Sequence, residues 1–137
     1  MARTALARKG EIIRRKIHGN AHVDKAYRDS DAFMMMFQDA TDEFCWAKIW
    51  GRPGLSHKTR ALISLAATAA QSQAPAVKMH TKTCLRTGWT QREIGEILLH
   101  VYCYAGVYAS LSGFLAAKEA IDEVKRDKAA RRKPRGR

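Results

Sequence analysis

The sequence contains no long apolar run, only three cysteines, and about half as many acids as bases. Each shortage excludes something. No stretch approaches the roughly 20 consecutive apolar residues that span a bilayer. The opening Met1-Ala2-Arg3-Thr4 begins no hydrophobic segment of the secretory kind, so no membrane-spanning segment is expected and the cytoplasm is the expected location. Cys45, Cys84 and Cys103 are widely separated and odd in number, which argues against a disulfide framework and makes buried free thiols the default. Strand alternation with hairpin turns is missing, as is any repeat of fixed period, so the chain is expected to be all-α.

What is present suffices for one body. With 137 residues and 46% hydrophobic side chains, one domain with a real core is expected and two independent ones are not. The formal charge of +12 is concentrated at the ends. Residues 1–16 hold six Lys or Arg against one acid and residues 125–137 eight against one, while the 108 between hold eleven of each sign. The expected division is a basic extension over 1–9, a body over 10–124 and a basic, disordered tail over 125–137. The tail has no aromatic residue to stack on a base, so it is expected to touch nucleic acid only nonspecifically.

Helices are placed by apolar period and by their start and stop signals. Leu6 to Ile17 reads as a strongly basic helix whose thin stripe of Ile12, Ile13 and Ile17 belongs at the domain edge or against another subunit. Asn20 to Asp24 reads as a connector. Ser30 or Asp31 caps a helix running through Phe33-Met34-Met35-Met36-Phe37 and Trp46 to about Trp50, read as core and interface, and Gly51-Arg52-Pro53-Gly54 breaks it. A helix from Ser56 carries the small residues Ala66-Ala67-Thr68-Ala69-Ala70, which suit the centre of a bundle. Pro75 opens the next helix, and the last runs from about Tyr108 to Val124. The result is a single-domain bundle of about six to seven helices.

The stretch Val77 to Tyr104 concentrates the chemistry. Gly88 is a left-handed C-terminal stop and Thr90 with Glu93 a capping box, so two helices meet at Trp89. Val77, His80, Thr81 and Cys84 share a face of the first. Glu93, Glu96, His100 and Cys103 share one of the second, beside an apolar side of Ile94, Ile97, Leu98, Val101 and Tyr104. An apolar scaffold holding a few polar groups is the usual build of a small-molecule site. Glu96 and His100 also have the spacing of a plain surface pair, and adding Cys103 still gives too few ligands for a metal.

Three stretches in order resemble the carboxymuconolactone decarboxylase family. They are Arg14-Arg15-Lys16-Ile17-His18-Gly19-Asn20-Ala21-His22-Val23-Asp24; Trp46-Ala47-Lys48-Ile49-Trp50-Gly51-Arg52-Pro53-Gly54-Leu55 with Arg60; and His80 through Gly88 followed by Glu93-Ile94 and Tyr104-Ala105-Gly106. The likeness runs from about Gly10 to Glu123 without a long insertion. It implies an alkylhydroperoxidase-like helical subunit that assembles as a homotrimer or homohexamer. It also implies cofactor-independent decarboxylation of 4-carboxymuconolactone, or a similar small lactone or carboxylic acid, to an enol-lactone in the protocatechuate branch leading to β-ketoadipate.

In such a substrate the electron pair left by carbon dioxide passes onto the lactone carbonyl, so the protein supplies an anchor, an apolar wall, an oxyanion donor and an acid. Arg60 and Arg52 are the anchor candidates; the alternative role for Arg60, near a helix start, is an ion pair with Asp42 or Glu43. His80 is the acid or oxyanion donor, with Glu96, His100 and Tyr104 as further polar candidates and Tyr108 at the pocket rim. No cofactor or metal is expected.

Where the wider superfamily carries a redox CxxC just before the histidine that His80 resembles, this chain has Gln73 and Ala76, which argues against thiol peroxidase chemistry of that kind. Ala76 in place of a glutamate, Cys84 of an alanine and Tyr108 of a proline depart from the decarboxylase pattern and bear on the substrate more than on the fold. The competing readings are a thiol-dependent antioxidant protein using Cys84 or Cys103, and a noncatalytic helical oligomer with basic tails.

Overall fold

The computed structural model describes residues 2–134 and 136. Among them every regular element is helical. In order these are α1 Ala5–His18, α2 Asn20–Arg28, α3 Ala32–Ala40, α4 His57–Ala70, α5 Ala74–Thr87, α6 Gln91–Ala105 and α7 Val107–Arg132, with a π-helical segment Thr41–Trp50 continuing α3. No described helix is long and apolar enough to cross a membrane. The single core expected from length is instead two compact units, one up to Arg60 and one from Ala61.

In the first unit α1 packs on the π segment through small and charged residues, not through the isoleucine stripe that apolar period predicts. Ala7, Gly10, Arg14 and Ile17, spaced three and four apart, are buried, whereas Ile12 is 70% exposed. Gly10 lets the two backbones touch, since a Cβ there would stand 2.6 Å from the Asp42 carbonyl carbon. Asp42 is wholly buried and accepts hydrogen bonds from Arg3, Arg14 and Tyr27, which is how an interior charge is kept satisfied. Burial, then the Asp42 contact, pushes the Tyr27 phenol up to about 12.

This polar network takes the place expected for the Met and Phe side chains. Phe33, Met36, Phe37 and Phe44 are exposed, while Gln38 and Asp42 are buried. Trp46 and Trp50 stack at 4.8 Å between centroids, and the Gly51 N–H closes the π segment on the Trp46 carbonyl oxygen, five residues back, at 3.0 Å. Asn20 to Asp24 is no connector. It is the first half of α2, buried through Val23 and parted from α1 by Gly19 alone.

The second unit is built on α7, whose buried face of Ala109, Gly113, Ala116, Ala117 and Ala120 lets α5 and α6 pack close. The Ser110 hydroxyl donates to the Leu98 carbonyl oxygen at 3.0 Å, and Lys78 and Lys82 of α5 both pair with Glu123 of α7. Thr90 and Glu93 make the expected capping box at the start of α6, and Gly88, at φ 105°, ends α5 in the left-handed region. Helix α4 buries only the stripe Ala61, Leu65 and Ala69 and leaves Ile63 47% exposed. It therefore lies at the edge of its unit, where the small residues suggest a centre.

Helix α7 runs past Val124 to Arg132. Lys, Arg and Ala are good helix formers, and the first breaker is Pro134. The tail expected to be disordered over 125–137 is thus helical over 125–132, with every side chain from Lys125 to Pro134 exposed; Arg135 and Arg137 lie outside the described residues. The basic extension expected over 1–9 is likewise helical from Ala5.

Candidate functional site

Helices α4 and α6 line a groove of about 660 Å³ in the second unit, within the usual range of small-molecule sites. The α4 wall is apolar, formed by Leu62, Ile63, Ala66, Ala67 and Ala70. The α6 wall presents Ile97 and Val101 together with Glu96, His100 and Tyr104. These three polar residues recur every four positions, about 6 Å apart at the helical rise. The His100 and Tyr104 rings approach to 5.2 Å at 47°. Because Ile94, Leu98 and Val101 are the buried stripe of α6, the polar file stands on the neighbouring face, and the capping box fixes where that face begins. The spacing of the file is readable from sequence. The α4 wall is not, because its alanines read as helix-packing residues.

The other candidates are not brought into this groove. In the first unit Arg60 donates through Nη2 to the Arg52 carbonyl oxygen at 3.3 Å, so the two arginines are neighbours. Asp42 is held by Arg3, Arg14 and Tyr27, and Glu43 by the Thr4 hydroxyl. Tyr108 is 81% exposed and lines a second groove, of about 700 Å³, with Pro75, Lys78, Leu111 and Glu119. It does not share the lining that holds Tyr104.

His80 lies on α5, one turn before Cys84, and lines neither groove. Burial lowers its pKa to about 4, so near neutral pH the ring is an uncharged imidazole rather than a store of acid. The unfolded chain takes up this proton near the ordinary value of about 6.5 and the folded chain does not until about 4. Stability is therefore full above the higher value and falls as pH drops between the two, by about 3 kcal/mol in all. Urea unfolding at pH 7 and pH 4.5 is expected to show this loss, and His80→Gln is expected to flatten it.

The thiols divide by environment. Cys84 is buried, and burial pushes its thiol up to about 12. Cys45 is half-buried and also raised, first by burial. Cys103 is exposed, contrary to the buried default. Ellman's reagent at pH 8 is expected to modify one thiol rapidly, to lose that phase in Cys103→Ser, and to reach Cys84 only after unfolding. Rapid reaction at Cys84 would contradict its burial. No group of three or more His, Cys, Asp or Glu among the described residues is arranged to hold a metal ion.

The sequence profile of the carboxymuconolactone decarboxylase family matches residues 36–119, more than half of the chain. A protein of Acinetobacter baylyi named 4-carboxymuconolactone decarboxylase is 31% identical over 117 residues, covering 85% of this chain and 87% of that relative. The chain belongs to the carboxymuconolactone decarboxylase family. A second relative, named nitrosuccinic acid decarboxylase, from Metarhizium robertsii, is 28% identical over 116 residues, covering 85% of this chain and 81% of its own length. Both relatives are thus named as decarboxylases. The family match includes the whole groove and every candidate residue from Arg52 to Tyr108, and it stops before the basic end of α7.

Proposed function

We propose that the chain decarboxylates a small acid that carries its own electron sink, 4-carboxymuconolactone or a close analogue, in the groove between α4 and α6. The observation that carries this reading is the file Glu96, His100 and Tyr104 facing an apolar wall. The substrates named for the two relatives support it, since each joins a carboxylate to an electron-withdrawing group, a lactone in one and a nitro group in the other.

In the step proposed, the bond between the carboxylate and its carbon breaks heterolytically. Carbon dioxide leaves, the electron pair is delocalised through the ring double bond onto the lactone carbonyl oxygen, and the ring carbon next to that carbonyl then takes up a proton, giving the enol-lactone. Leu62, Ala66 and Val101 set an apolar wall against one side of the departing carboxylate, which raises its energy relative to a transition state whose charge is spread. His100 and Tyr104 donate hydrogen bonds to the developing oxyanion. Glu96, exposed to solvent, relays the proton to carbon. Among the described residues no Lys or Arg lines the groove, so the retained carboxylate stays solvated at the open side. No cofactor takes part in this scheme.

The test is carbon dioxide release and ultraviolet change on mixing the protein with freshly generated 4-carboxymuconolactone and, separately, with nitrosuccinate. Turnover of the lactone is expected. A folded protein that decarboxylates neither acid would overturn the reading.

A further inference from the structure

The last two turns of α7 are not used by the groove and lie beyond the family match, which ends at residue 119. From Lys125 to Lys133 they hold six Lys or Arg against one Asp. Lys125, Lys128 and Arg132, three and four residues apart, share one exposed face with Ala129, and Arg131 follows Lys128 at the same helical spacing. Near the N-terminus, by contrast, three of the six basic residues, Arg3, Arg14 and Arg15, are tied to Asp or Glu, while Arg8, Lys9 and Lys16 are exposed. Among the described residues no acid lies within 4 Å of a cation from Lys125 to Lys133, although Lys125 and Arg126 stand near enough to Asp122 to help hold its carboxyl down. These cations remain available to an outside polyanion.

We infer that the C-terminal end of α7 is a binding surface for the phosphates of duplex DNA, without sequence preference. A helix about 10–12 Å across matches the roughly 12 Å major groove of B-form DNA, whereas the major groove of an RNA duplex is too narrow to admit side chains. Lys125 to Arg132 spans about 10 Å of helix axis, along which the duplex presents one phosphate per about 1.7 Å. The surface does not suit a membrane, because its only apolar side chains, Ala129 and Ala130, are too small to enter the acyl boundary.

The test is fluorescence anisotropy of a labelled duplex of mixed sequence titrated with the full chain over a salt series. With four phosphates neutralised, affinity is expected to fall by about 100-fold between 50 and 200 mM salt. The combined variant Lys125→Gln, Lys128→Gln, Arg131→Gln and Arg132→Gln is expected to lose at least about tenfold in affinity at 50 mM and most of the salt slope. Glutamine keeps the helix, and circular dichroism checks that it has. Equal binding by the folded variant, weak and salt-insensitive binding by the wild type, or binding to phosphatidylserine vesicles but not to the duplex would each overturn the inference.

Discussion

Asp42→Ala is expected to destabilise the first unit by about 3–5 kcal/mol, the effect of leaving a buried charge without its partner. Arg14 is 7% exposed, and its Nη1 donates to Gln38 at 2.8 Å and to Asp42 at 3.2 Å. With the carboxylate gone, a neutral amide oxygen remains as its interior acceptor. Tyr27 loses its hydroxyl's acceptor at the same time. Arg3 is less affected, because its side chain is 22% exposed and also pairs with Glu11 and Asp39. Asp42→Asn, which keeps an acceptor but no charge, is expected to fall between the variant and the wild type. Trp46 and Trp50 lie in the same unit and are buried, so their fluorescence during urea unfolding reports the loss directly. A shift below about 1 kcal/mol, the size of an ordinary hydrogen bond, would show that the Asp42 network contributes little.

What the sequence made legible follows from the range of the forces involved. Caps are local chemistry, and Asp31, Thr90 with Glu93, and Gly88 are where that chemistry places them. Pro75 likewise sits in the first turn of α5. The interior of the first unit was hidden because Gly10, Arg14, Gln38 and Asp42 are not residues that a hydrophobic pattern selects. The π segment was hidden too, since its wider turn accompanies the stacking of Trp46 and Trp50 and the seating of Asp42, which are matters of packing. The site was half visible. A four-residue period put Glu96, His100 and Tyr104 on one line, but nothing local distinguishes an alanine that packs, such as Ala69, from alanines that border space, such as Ala66 and Ala67. The basic end of α7 defies its net charge because Lys, Arg and Ala are good helix formers and no breaker precedes Pro134.

Within the groove, Glu96→Gln is expected to lower kcat by about 100-fold or more, the usual contribution of a positioned proton carrier, while Ala66→Trp is expected to reduce turnover to background. The two act differently. Glu96→Gln removes the carboxyl that relays the proton while keeping its shape, so substrate binding should survive it and KM should change little. Ala66→Trp fills the groove from its apolar wall, and because Ala66 borders space rather than packed core, the fold should tolerate it, as circular dichroism can check. His80→Ala is the decisive comparison. His80 lines neither groove and is held neutral by burial, so its removal is expected to leave most of the turnover in place. If His80→Ala abolishes decarboxylation in a folded protein and Glu96→Gln does not, the chemistry lies on α5. The α4–α6 groove would then be an apolar surface with another use.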